Sequence, residues 1–264
     1  MGEDTRRLSL FPYVANVGAG DNSLASAVVV GRRHLITAAH LFVGNGRWLA
    51  TGIAREPVAS ELSRYRVFIE GCPNRTYAIS DVHVNTLNPE INRASDYAVV
   101  QIAEPHCGVS VPIWSMTRDD VDAFLLSPSG TVDRRDVTVA GYYGPHTVAL
   151  YSESASLDTG KFENLEFDLS LAWQYAAEGP IVEQGTGREL RLEPNNRQRL
   201  FAHEIDTDVG SSGGPLLVRD GDEVYAIGIQ IGERRDDVDL NYAISISDDF
   251  LDMIVEHVPD AVFR

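Results

Sequence analysis

Three short stretches of this sequence contain the residue types that acyl transfer needs. A glycine-rich turn at positions 210–214 contains Ser212, an apolar run ends in His40, and Asp96 directly precedes an alternating apolar run. A serine hydroxyl attacks an amide only when a base accepts its proton. An imidazole can take and return that proton near neutral pH, and a carboxylate can orient the imidazole. The sequence therefore predicts a Ser212 nucleophile, a His40 general base and an Asp96 orienting group.

Each of these residues also has a purely structural interpretation. A Gly/Ser run can be a surface turn, a histidine at the end of a strand can be structural, and Asp96 can cap the start of a strand. The three occur together and in one order, which favours catalysis. In that case the tight turn also exposes backbone N–H groups, and the amides of Gly210 and Ser212 are expected to form an oxyanion hole.

Three motifs carry a resemblance to the chymotrypsin-fold serine proteases. They are TAAH ending at His40, SDYAVVQI containing Asp96, and GSSGGPL containing Ser212. The order His, Asp, Ser is that of this family rather than of subtilisin or the α/β-hydrolases. The resemblance spans roughly residues 12–247. It implies two β-barrels, a C-terminal helix and hydrolysis of a polypeptide substrate.

Finer features resemble the bacterial branch of that family. Ser211, immediately before the nucleophile, has no charge to pair with a newly released amino terminus, so activation by insertion of such a terminus is not expected. Residues 137–142 and the pair Asp206-Thr207 resemble the glutamyl endopeptidases, and residues 213–217 also resemble HtrA-type proteases.

The resemblance also indicates which residues bind the substrate. In such proteases the segment six residues before the nucleophile reaches the primary specificity pocket, and here it is Asp206. A carboxylate there favours Arg or Lys before the scissile bond. Glutamyl endopeptidases instead hold a glutamate with a threonine and a downstream histidine, but the matching segment 228–232 has no histidine. Both specificities stay open. The expected substrate-binding residues are Asp206, Thr207, Gln230, Ile231 and Gly232, the last three as an added-strand partner of the substrate backbone.

The pattern of short alternating runs predicts an all-β fold. Six strands are expected in the first half of the chain: Phe11–Val17, Ala25–Gly31, His34–Ala38, Arg66–Glu70, Tyr77–Val84 and Tyr97–Ala103. These runs indicate an antiparallel sheet or barrel. The family resemblance implies two six-stranded antiparallel β-barrels, which we expect in residues 1–118 with His40 and Asp96 and in residues 119–264 with Ser212. A long strand is expected over 165–175, and 157–198 is interpreted as an insertion that shapes substrate access or contacts a partner. Helical spacing of apolar residues predicts a C-terminal helix over 248–258.

Composition narrows the possible partners. A net charge of −17 disfavours nucleic acid and anionic membranes. No apolar run approaches the length that spans a bilayer. The acidic loop 233–239 lacks a full set of calcium ligands, and the histidines lack zinc spacing, so neither a metal nor another cofactor is expected. A regulatory protein partner is one further expectation.

Two further expectations concern the cellular environment and a competing function. The two cysteines, Cys72 and Cys107, are expected to be free thiols. With no signal-like segment at its start as written, the chain is expected to be cytoplasmic, or secreted if the sequence is a trimmed mature form. The competing function is a catalytically silent or partner-activated binding module on the same fold, since a fold does not guarantee an activity. A small-ester hydrolase is a third alternative.

Overall fold

The structure is a computed structural model of the 264-residue chain. It describes residues 12–19, 24–43, 57–69, 71–72, 75–85, 95–116, 137–142, 174–179, 181–185, 200–203, 207, 210–233 and 241–264.

The first half of the chain forms a closed antiparallel barrel of six strands in the order β1-β2-β3-β6-β5-β4. The strands are β1 (Val14–Ala19), β2 (Leu24–Gly31), β3 (His34–Thr37), β4 (Tyr65–Ile69), β5 (Thr76–Val84) and β6 (Ala98–Ile102). All six overlap the strands predicted from the alternating runs. The first six-stranded barrel is therefore confirmed.

The barrel core explains why these runs fold as strands. Val28, Leu35, Val67 and Val100 are among the side chains with no exposed surface. Branched side chains of this kind pack well on a pleated surface, and burying one fully is worth about 1.5–3 kcal/mol. Residues 34–37 of β3 are buried on both faces, so the strand that leads to His40 is held rigidly.

The second half forms a seven-stranded antiparallel sheet in the order β8-β7-β11-β12-β13-β10-β9. The strands are β7 (Val137–Tyr142), β8 (Gln174–Gly179), β9 (Ile181–Gly185), β10 (Leu200–His203), β11 (Pro215–Asp220), β12 (Glu223–Glu233) and β13 (Asn241–Ser245). The expected second barrel of six strands is thus a sheet of seven among the described residues. The two edge strands of this sheet, β8 and β9, are separated in the sequence by a single residue, position 180. Closure of this sheet into a second barrel stays a prediction.

One expectation about this half lies mostly outside the described residues, and a second needs correction. Of the strand expected over 165–175, only 174–175 lie in the described residues, where they begin β8. The segment 157–198 is not wholly an insertion, because it supplies β8 to β7 and β9 to β10. An alternating run can locate strand character, but it cannot show which distant strand will be the neighbour.

The described residues contain three helices. Helices α1 (His40–Val43) and α2 (Ala59–Leu62) are single turns that the sequence did not predict, whereas α3 (Asp248–His257) agrees with the predicted C-terminal helix. No helix among these residues is long and apolar enough to cross a membrane. The proposed boundary at 118/119 falls in residues 117–136, outside the described part of the chain.

The two cysteines form a disulfide, so the expectation of free thiols was wrong. Cys72 follows β4 and Cys107 follows β6, 35 positions later, and their Cα atoms lie 5.6 Å apart. The backbone N–H of Cys107 also donates to Cys72 Sγ. Because the two turns meet only when the barrel closes, their proximity is a property of the fold and not of the local sequence.

Candidate active site

His40 and Asp96 form a two-point contact at the edge of the first barrel. His40 Nδ1 lies 2.6 Å from Asp96 Oδ2, and the His40 backbone N–H donates to Asp96 Oδ1 at 2.7 Å. The Asp96 side chain is only 2% exposed, whereas that of His40 is 41% exposed. The carboxylate is therefore shielded from water and fixes the imidazole, while part of the ring still reaches the surface.

The contact is positioned by strands that pair directly. His40 comes three residues after the end of β3, and Asp96 comes two residues before β6, its antiparallel neighbour. Helix α3 packs behind Asp96, because Phe250 stacks on Tyr97 with ring centroids 4.4 Å apart. Burial raises the pKa of Tyr97 to about 12, so its hydroxyl stays neutral and accepts a hydrogen bond from Asn85 Nδ2 at 2.5 Å.

Ser212 lies on a tight turn, residues 210–214, that directly precedes β11. Gly210 and Gly213 adopt φ angles of 101° and 83°, left-handed conformations that strongly favour glycine. The turn is closed by Gly214 N–H donating to Ser211 O at 2.8 Å. Because a trans peptide is planar, fixing Ser211 O on one side directs the Ser212 N–H to the opposite side. This is one of the two N–H groups predicted for the oxyanion hole.

The nucleophile turn lies against the segment that carries His40. A Cβ atom added to Gly213 would collide with Thr37 Oγ1 and would lie 2.9 Å from Ala38 N. Ser212 is adjacent to Gly213 in sequence, and His40 follows Ala38 by two residues. The fold thus brings the three predicted catalytic residues into one region, on the border of the barrel and the second sheet.

The predicted substrate-binding wall is tied to the same turn. Gln230 N–H donates to Gly214 O at 2.8 Å, and Gln230 O accepts from Gly213 N–H at 2.7 Å. The backbone of Gln230 is therefore engaged with the turn, and an added substrate strand would rely on Ile231 and Gly232.

The side chain of Gln230 is also engaged. It is fully buried, and its Nε2 donates to Thr207 Oγ1 and to Gly232 O, each at 3.2 Å. Gln230 and Thr207 are thus neighbours. Asp206 lies outside the described residues. Among the residues that the structure describes, no group of three His, Cys, Asp or Glu side chains could hold a metal ion.

Sequence reasoning missed Ser26 and Thr37, which hold the turn from the barrel side. Thr37 Oγ1 donates to Ser26 O at 2.6 Å, and Ser26 N–H donates to Ser212 O at 2.8 Å. The one available signal was the small-residue run at 25–27 in an otherwise bulky strand, which indicates close approach of another backbone.

One family model matches most of the chain. The family model described as trypsin-like peptidase domain matches residues 25–229, which include Ser26, His40, Asp96 and Ser212. No curated protein sequence matches the chain significantly.

Solved structures share the fold at low sequence identity. The structure of a Glu endopeptidase in complex with MPD has a TM-score of 0.57 at 15% identity, covering 96% of this chain and 93% of that one. An inactive mutant form of Rv3671c from M. tuberculosis H37Rv has a TM-score of 0.50 at 14% identity, covering 92% and 85%. The inactive form of the Rv3671c protease also has a TM-score of 0.50 at 14% identity, covering 91% and 87%.

These likenesses support the chymotrypsin-like fold and confirm the resemblance that the three motifs predicted. Since the family model matches more than half of the chain, this protein belongs to the family of trypsin-like peptidase domains.

Proposed function

We propose that this protein is a serine endopeptidase that hydrolyses peptide bonds with Ser212, His40 and Asp96. The observation that carries the proposal is the two-point contact of a buried Asp96 with His40, beside the glycine turn that contains Ser212. A buried carboxylate that accepts from both the ring and the backbone of a histidine holds one tautomer, with the proton on Nδ1. That tautomer leaves Nε2 as the acceptor for a serine proton.

The proposed reaction has two acyl-transfer steps. Ser212 Oγ attacks the carbonyl carbon of the scissile bond while its proton passes to His40 Nε2. The C–N bond then breaks, the leaving amine takes that proton, and an ester to Ser212 remains. In the second step a water molecule loses a proton to His40 and attacks the ester, and Ser212 Oγ regains a proton as the acid leaves. The backbone N–H groups of Gly210 and Ser212 would stabilise the oxyanion in both steps.

For the residue before the scissile bond we propose Arg or Lys. Asp206 would supply the carboxylate, and the net charge of −17 favours cationic substrates. Both amide hydrogens of Gln230 are engaged by Thr207 and Gly232, so they are not donors for a substrate carboxylate. Glutamate is the competing preference, favoured by the fold likeness to a Glu endopeptidase.

The catalytic proposal is tested by labelling with a fluorophosphonate, in which Ser212 Oγ displaces fluoride from phosphorus. Wild type, Ser212→Ala and His40→Ala are compared, each first checked for folding by circular dichroism. Labelling of wild type alone is the expected result. Wild-type protein that is folded but neither labelled nor active on peptides would overturn the proposal in favour of a binding module. Hydrolysis of esters without peptides would favour the small-ester alternative.

The specificity proposal is tested with peptides that differ only in the residue before the scissile bond: Arg, Lys, Glu or Ala. The expected order of kcat/KM is Arg and Lys above Ala, with Glu lowest, and the preference for Arg should be lost in Asp206→Asn. A higher kcat/KM for Glu than for Arg would contradict it and support the glutamyl preference.

The disulfide bears on the compartment in which the protein acts. We propose the secreted alternative over the cytoplasmic one, because disulfides persist mainly in oxidising compartments. Fractionation of the producing cells, with antibody detection in each fraction, tests this. Protein found only in the cytosolic fraction would contradict it. A regulatory protein partner stays a prediction.

A further inference from the structure

Ser26 belongs to the first barrel, yet most of its polar atoms bind the second half of the chain. Its backbone N–H donates to Ser212 O at 2.8 Å, and its Oγ donates to Gly210 O at 2.8 Å. The same Oγ accepts from Tyr142 N–H at 2.7 Å. Ser26 has no exposed surface, so water cannot replace any of these bonds. The hydroxyl thus uses its only donor hydrogen and one of its two lone pairs in these bonds.

These bonds fix the backbone on both sides of the proposed nucleophile. A planar peptide has its C=O and the following N–H in opposite directions, so a held carbonyl prevents that peptide from flipping. Ser26 holds the carbonyls of Gly210 and Ser212, and Gly214 N–H holds the carbonyl of Ser211 between them. Three consecutive peptide planes are thus oriented, two of them by Ser26. Gly210, whose φ is 101°, otherwise has the freedom to rotate.

The surroundings of Ser26 are shaped to admit its hydroxyl. A Cβ atom on Gly141 would lie 2.6 Å from Ser26 Oγ, so only glycine leaves the hydroxyl its present place. The carbonyl of Ser26 accepts from Thr37 Oγ1 at 2.6 Å. Thr37 ends the strand that leads to His40, so one residue connects the base-bearing strand with the nucleophile turn.

We propose that Ser26 is a positioning residue for acyl transfer, whose hydroxyl holds the Gly210–Ser212 turn in the conformation that stabilises the oxyanion. This inference rests on the proposed function. It assigns no chemical step to Ser26, which acts through the orientation of the Gly210 and Ser212 backbone.

The test is the variant Ser26→Ala, which keeps the backbone bond to Ser212 and removes only the hydroxyl. We measure kcat and KM on a cleaved peptide and the rate of fluorophosphonate labelling, each per titrated active site. Removal of one oxyanion donor costs about 10²–10³-fold in kcat, so loss of its support should cost about 10–10²-fold, with KM within about twofold. Ser245→Ala, a fully buried serine on β13, is the matched control and should keep wild-type kcat.

The outcomes separate this inference from the proposed function. Wild-type kcat per titrated site in Ser26→Ala would overturn the role of Ser26 while leaving a serine peptidase intact, even if the melting temperature fell. Folded wild type without labelling or peptidase activity would overturn the proposed function itself. If Ser26→Ala does not fold, Gly141→Ala displaces the hydroxyl indirectly and must lower kcat in the same way.

Discussion

Replacement of Asp96 by asparagine changes a carboxylate whose two oxygens have different partners. Oδ1 accepts the His40 backbone N–H at 2.7 Å, and Oδ2 faces His40 Nδ1 at 2.6 Å. In Asp96→Asn the amide oxygen must stay with the backbone N–H, because an NH₂ group there would face another donor. The amide nitrogen then faces Nδ1 and donates to it. The imidazole proton is forced onto Nε2, which can no longer accept the Ser212 proton.

The expected loss follows from that exchange of tautomers. Asp96 is only 2% exposed, so water cannot restore the original contact. The corresponding change in a Ser-His-Asp triad lowers kcat about 10⁴-fold, or about 5.5 kcal/mol of transition-state stabilisation. Binding of the peptide substrate should be nearly unchanged, because the substrate does not contact the buried carboxylate.

The assay is the rate of peptide hydrolysis at saturating and at limiting substrate concentrations. The rate of fluorophosphonate labelling is a second measure. Asp260→Asn is the matched control. Asp260 also accepts a backbone N–H, from Arg32 at 2.7 Å, and also lies beside a histidine, His34, at 3.5 Å, but neither partner belongs to the proposed triad. The control should keep wild-type kcat. A loss of less than about tenfold (about 1.4 kcal/mol) in folded Asp96→Asn would refute this reasoning.

Three further predictions concern stability. Gly213→Ala should lower the melting temperature more than Gly221→Ala. Both substitutions place alanine in a left-handed conformation (φ 83° and 63°), at a cost of about 1–2 kcal/mol, but only at Gly213 would the added Cβ collide with neighbouring atoms, since Gly221 has nothing within 4 Å. Equal decreases in melting temperature would contradict the close contact at Gly213. Burial lowers the pKa of His34, so the unfolded chain binds that proton more tightly, and stability should fall as pH decreases below about 6.5. The urea midpoint of unfolding should fall less with decreasing pH in His34→Gln than in wild type. The same pH dependence of the midpoint in both proteins would contradict the lowered pKa of His34. Reduction of the Cys72–Cys107 bond, which joins residues 35 positions apart, should lower the free energy of unfolding measured in urea by about 4 kcal/mol. Alkylation of the two cysteines in denatured, unreduced protein would show that the bond is absent.

Much of the fold was predictable because the patterns that indicate a strand lie within short stretches of the sequence. The alternation in residues 76–84 arises because about one side chain in two faces the core. The continuous apolar run in 98–102 arises because that strand has no exposed position. Both patterns can be recognised in the sequence. Helix α3 was predictable for the same reason, since Phe250 and Ile254 recur at helical spacing and are buried. The candidate triad was predictable because its chemistry demands particular residue types, and the family resemblance supplied their order.

The rest depends on contacts between residues far apart in the chain. Neither the Cys72–Cys107 bond nor the seven-stranded sheet could be predicted, because each forms only when distant turns or strands meet. The sequence by itself determined which groups could attack, accept a proton and orient. Only the tertiary structure decided that Ser26, 184 positions before Gly210, would hold the carbonyl of that residue. The physical reason is that a hydroxyl has no partner preference along the chain; its partner is whichever carbonyl the packing of the two halves leaves within hydrogen-bond distance.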